Sequence, residues 1–268
     1  MITFTIVTCT YCAEHELQRT VDSVLHQSYG EVEHLIIDGA SKDGTLAIAR
    51  SYMEANEETG MHRVVLKSEP DRGLYDAMNK GIFEATGDYL IFLNAGDVFP
   101  SPDTLELVAG QVGEDEELPG VLYGDTDVVN DEGTFLYRRR LSPPEHLTWR
   151  SFRQGMLVCH QAFYARTDIA RCNLYNLDYR LSADVDWCIR IMKDAEGRGL
   201  SLRNLHMVVV NYLEGGMSIK NHRASLRERF LIMCHHYGLL TTYFMHTWFV
   251  VRAVVTSLRD SSKKRSDR

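Results

Sequence analysis

An almost unbroken apolar run, Tyr89-Leu90-Ile91-Phe92-Leu93, ends abruptly in Asn94-Ala95-Gly96-Asp97. A strand that is apolar at every position has no face for water, so it belongs in a sheet covered on both sides by helices. The segment before it, Leu74 to Ala85, sets Leu74, Met78, Ile82 and Phe83 at helical spacing, with Asp76, Asn79, Lys80 and Glu84 between them. Gly87-Asp88 turns the chain from that helix into the strand. A carboxylate just beyond the carboxyl end of a buried parallel strand lies where open α/β sheets bind ligands. Asp71 and Asp76 fall in the same stretch, Ser68 to Phe99, and several anionic oxygens facing one cleft suit a divalent cation. Gly96-Asp97 taken alone also fits an ordinary turn.

The same alternation runs from the N-terminus. Ile2 to Thr8 reads as a strand, Glu14 to His26 as an amphipathic helix, Glu33 to Asp38 as a strand, Thr45 to Tyr52 as a helix and Arg63 to Lys67 as a third strand. The order β-α-β-α-β-α-β predicts an α/β fold, a doubly wound, mainly parallel sheet with helices on both faces. Asp38 closes the second strand, Glu69 and Asp71 follow the third and Asp97 follows the fourth, so their loops converge on one edge of the sheet. Each carboxylate singly fits a turn or a cap. Their shared position favours a nucleoside diphosphate with its metal as the cargo, because the ion bridges phosphates and carboxylates. Neither G-x-x-x-x-G-K-[ST] nor a G-x-G-x-x-G after the first strand occurs, which argues against a kinase or a dehydrogenase.

A formal net charge of -8 makes a nucleic-acid backbone a poor partner, and 268 residues suit one large domain with or without an appendage. Met1 leads directly into the first strand without a basic n-region, so the expectation is a cytoplasmic protein. In that compartment Cys9, Cys12, Cys159, Cys172, Cys188 and Cys234 are most simply free thiols, and Cys9-Thr10-Tyr11-Cys12 has no second ligand pair at zinc spacing.

VTCTY, IIDGASKDGT, SEPDRGLYDAMNKGI and GDYLIFLNAGD resemble the successive motifs of the family-2 glycosyltransferases, most closely the bacterial branch that builds extracellular and capsular polysaccharides. SEPDRGLYDAMNKG is the most specific piece, and the resemblance covers about the first half of the chain. It implies the GT-A nucleotide-sugar fold and an inverting transfer from a nucleoside-diphosphate sugar to a hydroxyl of a glycan or lipid-linked glycan. It also implies a divalent metal, Mn2+ or Mg2+. By resemblance Tyr11 stacks on the base and Asp38 lies near the base and ribose, with Thr8, Glu69, Asp71, Asn79 and Lys80 completing the donor-nucleotide set. Asp97 corresponds to the last acid of the metal-binding D-x-D element, here Asn94-Ala95-Gly96-Asp97. Many relatives carry two adjacent acids where this chain has Asp38-Gly39.

Residues 1–100 are thus expected to form the nucleotide-sugar half and 101–220 the acceptor-binding half of one domain, with 221–268 as C-terminal helices and a basic tail. In the second half Thr104 to Val112 reads as a helix, Gly113 to Leu118 as an acidic loop and Val121 to Val129 as a strand. Phe135 to Leu141 pairs with that strand across Asn130-Asp131-Glu132-Gly133. Arg138-Arg139-Arg140 suits either a phosphate-bearing acceptor or a solvated strand end. His160-Gln161 is similar to a His-Gln of the family's acceptor region; a single His in an apolar run is also a common hydrogen-bonded core residue. Ser182 is a candidate N-cap for a helix running through Ile191 toward Lys193. Asp184 and Asp186 in its first turn suit the helix dipole. An inverting transfer needs a carboxylate to take the acceptor hydroxyl's proton, and the resemblance places that catalytic base at Asp184, with Asp186 competing. Asp76, His160 and Asp186 complete the acceptor-side or secondary set.

Val208 to Leu213 reads as a strand, Glu214-Gly215-Gly216-Met217-Ser218 as a turn similar to the family's Gly-Gly-x-Ser element, and Arg223 to His236 as a helix. Leu239 to Leu258 is strongly apolar but holds His246 and Arg252, and the basic tail Arg259 to Arg268 follows. An interfacial helix at the inner face of the cytoplasmic membrane, a helix buried against a partner or a second copy in a homodimer, and a membrane span all fit that pattern. A nucleotidyltransferase shares the sheet and the metal but expects a Gly-rich basic loop that Cys9 to Leu17 lacks. A nucleotide-sugar or glycan-binding module without activity fits the shortened metal element.

Overall fold

In the computed structural model, residues 1–113, 117–215 and 221–251 are described. The first half follows the expected alternation. Strands β1 (Phe4–Thr10), β2 (Val32–Asp38), β3 (Arg63–Ser68) and β4 (Tyr89–Phe92) are interleaved with helices α1 (Leu17–Leu25), α2 (Thr45–Thr59) and α3 (Leu74–Glu84). β1 pairs in parallel with both β2 and β4, and β2 pairs in parallel with β3. The register sets Thr10, Asp38 and Ser68 side by side, so three strands end level and their loops open on one edge. Every residue of β1, β2 and β4 is buried, as strands sandwiched between helices require.

The second half extends the same sheet but mixes its directions. After α4 (Thr104–Val112) come β5 (Val121–Val129) and β6 (Phe135–Arg138), which form the expected hairpin. β7 (Phe163–Arg166) follows, then α5 (Thr167–Cys172), α6 (Ala183–Gly197), β8 (Leu202–Leu213) and α7 (His222–Tyr237). The strand order is β3-β2-β1-β4-β7-β5-β6, with β8 parallel to β5; β7 runs antiparallel to both β4 and β5. Trp187 of α6, fully buried, stacks on Tyr175 at 4.9 Å between ring centroids and meets Phe92 and Phe163 edge-on. This aromatic cluster fastens α6 to the middle of the sheet.

Two local expectations are corrected. Ser182 does precede α6, but its hydroxyl makes no capping bond to the helix; it is buried and meets the Ser225 hydroxyl at 2.9 Å. The segment just ahead of the helix is held instead by Glu228 of α7, which accepts from the backbone N–H groups of Arg180, Leu181 and Ser182 at 3.0, 2.8 and 2.9 Å. β8 begins six residues earlier than expected, at Leu202, because its first half carries polar residues and the positive-φ residue His206 (φ 49°), which hide the alternation.

Residues 239–251 form a helical segment after Gly238. Its exposed positions include Leu239, Leu240, Tyr243, Phe244, Trp248, Val250 and Val251, while Thr242 is fully buried. No helix among the described residues is long and apolar enough to cross a membrane. Arg252 to Arg268 and the Gly216-Met217-Ser218 part of the glycine turn lie outside the described residues.

Candidate active site

A cleft of about 770 Å³ opens along the carboxyl edge of the sheet, lined from both halves of the chain by Tyr11, Asn94, Asp97, His160 and Asp184 among others. Tyr11, just past β1, is 70 % exposed. A Cβ at Gly39 would lie 2.5 Å from Asp71 Oδ2 and 3.2 Å from the Tyr11 ring, so the first three strand-end loops meet there only because residue 39 has no side chain. Asp38 is buried beneath this junction. It accepts from Thr10 Oγ1 at 3.0 Å, Ser41 N at 3.0 Å, Ser41 Oγ at 2.5 Å and Ser68 Oγ at 2.6 Å. Burial alone would raise its carboxyl, and the bonds from Ser41, Ser68 and Thr10 overcome that and hold it below the usual range. Asp38 thus knots three loops together, and it is not among the cleft-lining residues.

Several residues expected on the donor side, and Asp76 from the acceptor-side set, do not line the cleft and make contacts within the scaffold. Thr8 is fully buried, donating to Leu93 O at 2.8 Å and meeting His34 Nε2 at 2.9 Å. Asn79 exchanges hydrogen bonds with the backbone of Tyr175, at 3.0 and 2.7 Å, which ties α3 to the loop before α6. Lys80 pairs with Glu69 at 2.8 Å and donates to Pro70 O at 2.9 Å, bracing the loop rather than lining the cleft. Asp71 accepts from Gly73 N at 2.8 Å. Asp76 accepts from the backbone and side chain of Arg72, both at 3.1 Å, and does not line the cleft.

Asp97 does reach the cleft, though it is only 3 % exposed. Its Oδ1 accepts from Leu213 N and its Oδ2 from Gln161 Nε2, each at 2.9 Å. The close approach to β8 rests on Gly96 (φ 98°), where a Cβ would fall 2.6 Å from Leu213 Cδ2. Burial pushes the Asp97 carboxyl up to about 6, against the pull of those two bonds. Asn94, also on the cleft, has a buried side-chain oxygen without a hydrogen-bond partner. No group of three or more His, Cys, Asp or Glu side chains suited to a metal occurs among the described residues. Two hard oxygens, one of them orphaned, match a cation that takes most of its remaining ligands from water and substrate phosphates.

Asp184 stands in the first turn of α6 and its side chain is 15 % exposed to the cleft. Its Oδ1 lies 3.4 Å from the Tyr75 hydroxyl and its Oδ2 3.5 Å from His160 Nδ1. Burial would raise this carboxyl, but the hydrogen bond and charge of His160, with the charge of Arg229, hold it below the ordinary carboxylate value. His160 Nε2 meets Asn94 Nδ2 at 3.3 Å and the adjacent Gln161 holds Asp97, so one dipeptide links the two acids. Asp186 does not compete for the cleft: it is 4 % exposed and closed by Arg190 Nε at 2.8 Å and His236 Nε2 at 2.7 Å. Position on the helix explains the split, since residues two apart point to different faces.

Among the cleft residues that sequence reasoning missed are Tyr75, Arg180 and Arg229, and it saw Arg139 and Arg140 only as part of a basic run. No motif flags Arg180 or Arg229, because the approach of α7 to the start of α6 is a tertiary event.

With this geometry in hand, comparisons with known proteins decide the family. The sequence profile of glycosyl transferase family 2 matches residues 5–173. The chain belongs to that family. A PGL/p-HBAD biosynthesis glycosyltransferase of Mycobacterium bovis is 36 % identical over 217 residues, spanning 80 % of this chain and 78 % of the relative. A teichuronic acid biosynthesis glycosyltransferase assigned in Bacillus subtilis, TuaG, is 37 % identical over 92 residues, 34 % of this chain and 35 % of its own. Among solved structures, S. aureus TarS in complex with UDP-GlcNAc superposes with a TM-score of 0.67 at 14 % identity, covering 93 % of this chain and 72 % of that one. A Pyrobaculum calidifontis mannosyltransferase with GDP-Man and Mn2+ superposes with a TM-score of 0.57 at 15 % identity, covering 97 % and 80 %. The architecture of this family-2 glycosyltransferase is therefore the GT-A fold, as the motifs led one to expect.

Proposed function

We propose that this glycosyltransferase moves a sugar from a nucleoside diphosphate to a hydroxyl of a glycan or lipid-linked glycan, with inversion at the anomeric carbon. The donor lies along the strand-end loops, its base on Tyr11 and its diphosphate toward Asn94 and Asp97. The acceptor hydroxyl enters from the side of Asp184, which takes its proton as the new bond forms. The observation that carries this reading is the placement of Asp184: a carboxylate kept ionised, at a helix N-terminus, in the same cleft as the ends of the parallel strands. His160 and Tyr75 hold its two oxygens in place. Asp97 and Asn94 are the residues that would hold a divalent metal, which when bound supplies charge neutralisation for the departing diphosphate.

Asp184→Asn is expected to lower the transfer rate by about 10²- to 10⁴-fold, the usual worth of a positioned base. Stabilisation by UDP or GDP with Mn2+, read as a rise in melting temperature, should be unchanged. The donor probes are UDP-GlcNAc and GDP-mannose, with acceptor extracts from a polysaccharide-producing bacterium. Undiminished turnover in the variant would remove Asp184 from the mechanism.

We also infer that the C-terminal segment rests on an anionic membrane surface. The helical segment 239–251 shows solvent an almost wholly apolar face, including Tyr243, Phe244 and Trp248, when a surface helix normally turns such a face inward. The sequence that follows carries Arg252, Arg259, Lys263, Lys264, Arg265 and Arg268 against Asp260 and Asp267, the charge that anionic headgroups attract. Such a seat brings the cleft to an acceptor carried on a lipid.

A further inference from the structure

Four arginines line the cleft: Arg139, Arg140, Arg180 and Arg229. They converge from three separate places in the chain, the end of β6, the loop before α6 and the middle of α7, in a protein whose net charge is -8. Arg139 is structurally engaged, donating to the carbonyls of Leu141, Leu157 and Met156 at 2.9, 3.2 and 2.6 Å. The other three are differently placed. Arg140 and Arg180 are exposed and make no ion pair among the described residues. Arg229 has a buried Nε without a hydrogen-bond partner. Arg229, half-buried on the cleft wall, makes no ion pair among the described residues, and a guanidinium charge there without a carboxylate is met favourably by an incoming oxyanion.

We propose that Arg140, Arg180 and Arg229 form a subsite for an oxyanion, a phosphate or carboxylate carried by the acceptor. The assignment to the acceptor rests on the reading of Asp184 as the base. Arg229 acts electrostatically on Asp184, and Arg180 lies in the loop that leads into the helix bearing it. The donor side, by contrast, is read from Tyr11, Asn94 and Asp97, which line the same cleft. An anion held by the charge of Arg229 sets the neighbouring hydroxyl of the same acceptor against Asp184. It also screens the surplus positive charge that would weaken the base. The enzyme then prefers acceptors with a charged group close to the hydroxyl that is glycosylated, and neutral glycans bind poorly.

The test uses the full chain with Mg2+ and saturating UDP or GDP, so that the donor site is filled, and titrates methyl phosphate and, separately, acetate by calorimetry. Binding of one or both is expected. Arg229→Gln and Arg180→Gln should each weaken it about tenfold or more, while nucleoside-diphosphate affinity stays within about twofold of the parent. Arg229→Lys, which keeps the charge, should recover part of the loss. Arg180 is exposed, so its variant reads the subsite even if Arg229→Gln folds poorly. The proposal is overturned if neither anion binds, if both glutamine variants bind them as the parent does, or if nucleoside-diphosphate affinity falls in parallel, which would give the arginines to the donor's diphosphate. Failure of UDP and GDP to bind at all would count against the glycosyl-transfer reading, and the anion titrations without nucleotide would still report on the subsite.

Discussion

Asp97 and Asp184 line one cleft, yet their surroundings drive them in opposite directions: burial pushes Asp97 up to about 6, while His160 and Arg229 hold Asp184 down. The sign of the first effect is testable. Because the folded state favours the protonated carboxyl, the folded chain keeps a proton between about pH 3.9 and 6 that the unfolded chain has released. Stability from this group is therefore greatest at low pH and falls as pH rises through 6, by about 3 kcal/mol in all. Thermal melts of the parent and Asp97→Asn from pH 4.5 to 7.5 should show the variant's relative stability rising with pH; parallel curves would mean that Asp97 titrates normally. At this scale the sequence reveals residue type but not direction. Asp97, Asp184, His160 and Tyr11 all line the cleft; Asp97 was legible from its strand end, whereas Tyr11, His160 and Asp184 were singled out through the family resemblance. Thr8, Asn79 and Lys80 sit in the same motifs, but their side chains turn to Leu93, Tyr175 and Glu69, and only packing fixes that choice.

Helix α6 owes its placement to two contacts on opposite sides, the aromatic cluster around Trp187 and the carboxylate of Glu228 across its N-terminus. Glu228 accepts from three successive amides just upstream of Asp184, so it sets where that acid projects. Glu228→Ala is expected to cost about 1–3 kcal/mol of stability and to lower kcat while leaving KM for the donor unchanged. Glu228→Gln, which keeps one good acceptor, should restore part of kcat. A loss of stability with normal kcat at low temperature would reduce Glu228 to a structural brace. The sequence could show the helix and the acid in its first turn, since both are local. It pointed to Ser182 as the cap because it offers no view of Ser225, forty-odd residues later, whose hydroxyl meets that of Ser182, and β8 was half hidden for a related reason: the polar residues of 202–207 are tolerated by pairing with β5 rather than by their own pattern.

For the whole molecule, one sheet runs through both halves, since β4 pairs with β7 across the middle of the sequence, and the cleft residues of both halves stand on one sheet. On the proposed membrane reading, the outward apolar face of 239–251 is the part that docks on anionic lipid. Full-length protein is expected to float with vesicles containing about one-third phosphatidylglycerol at low salt, to bind neutral vesicles weakly, and to lose flotation on raised salt or with Phe244→Glu and Trp248→Glu combined. Concentration-dependent dimerisation without flotation would assign the face to a second copy instead. The bond network of Glu228 also bears on synthesis. Chains emerge from the ribosome N-terminus first and fold largely in that order. The nucleotide-side strands can assemble early, but the loop that leads into Asp184 finds its acceptor only once residue 228 has been made. With Asp184 as the proposed base, a nascent or prematurely stopped chain thus lacks the carboxylate that seats it, and the transfer step is the last capability to arrive.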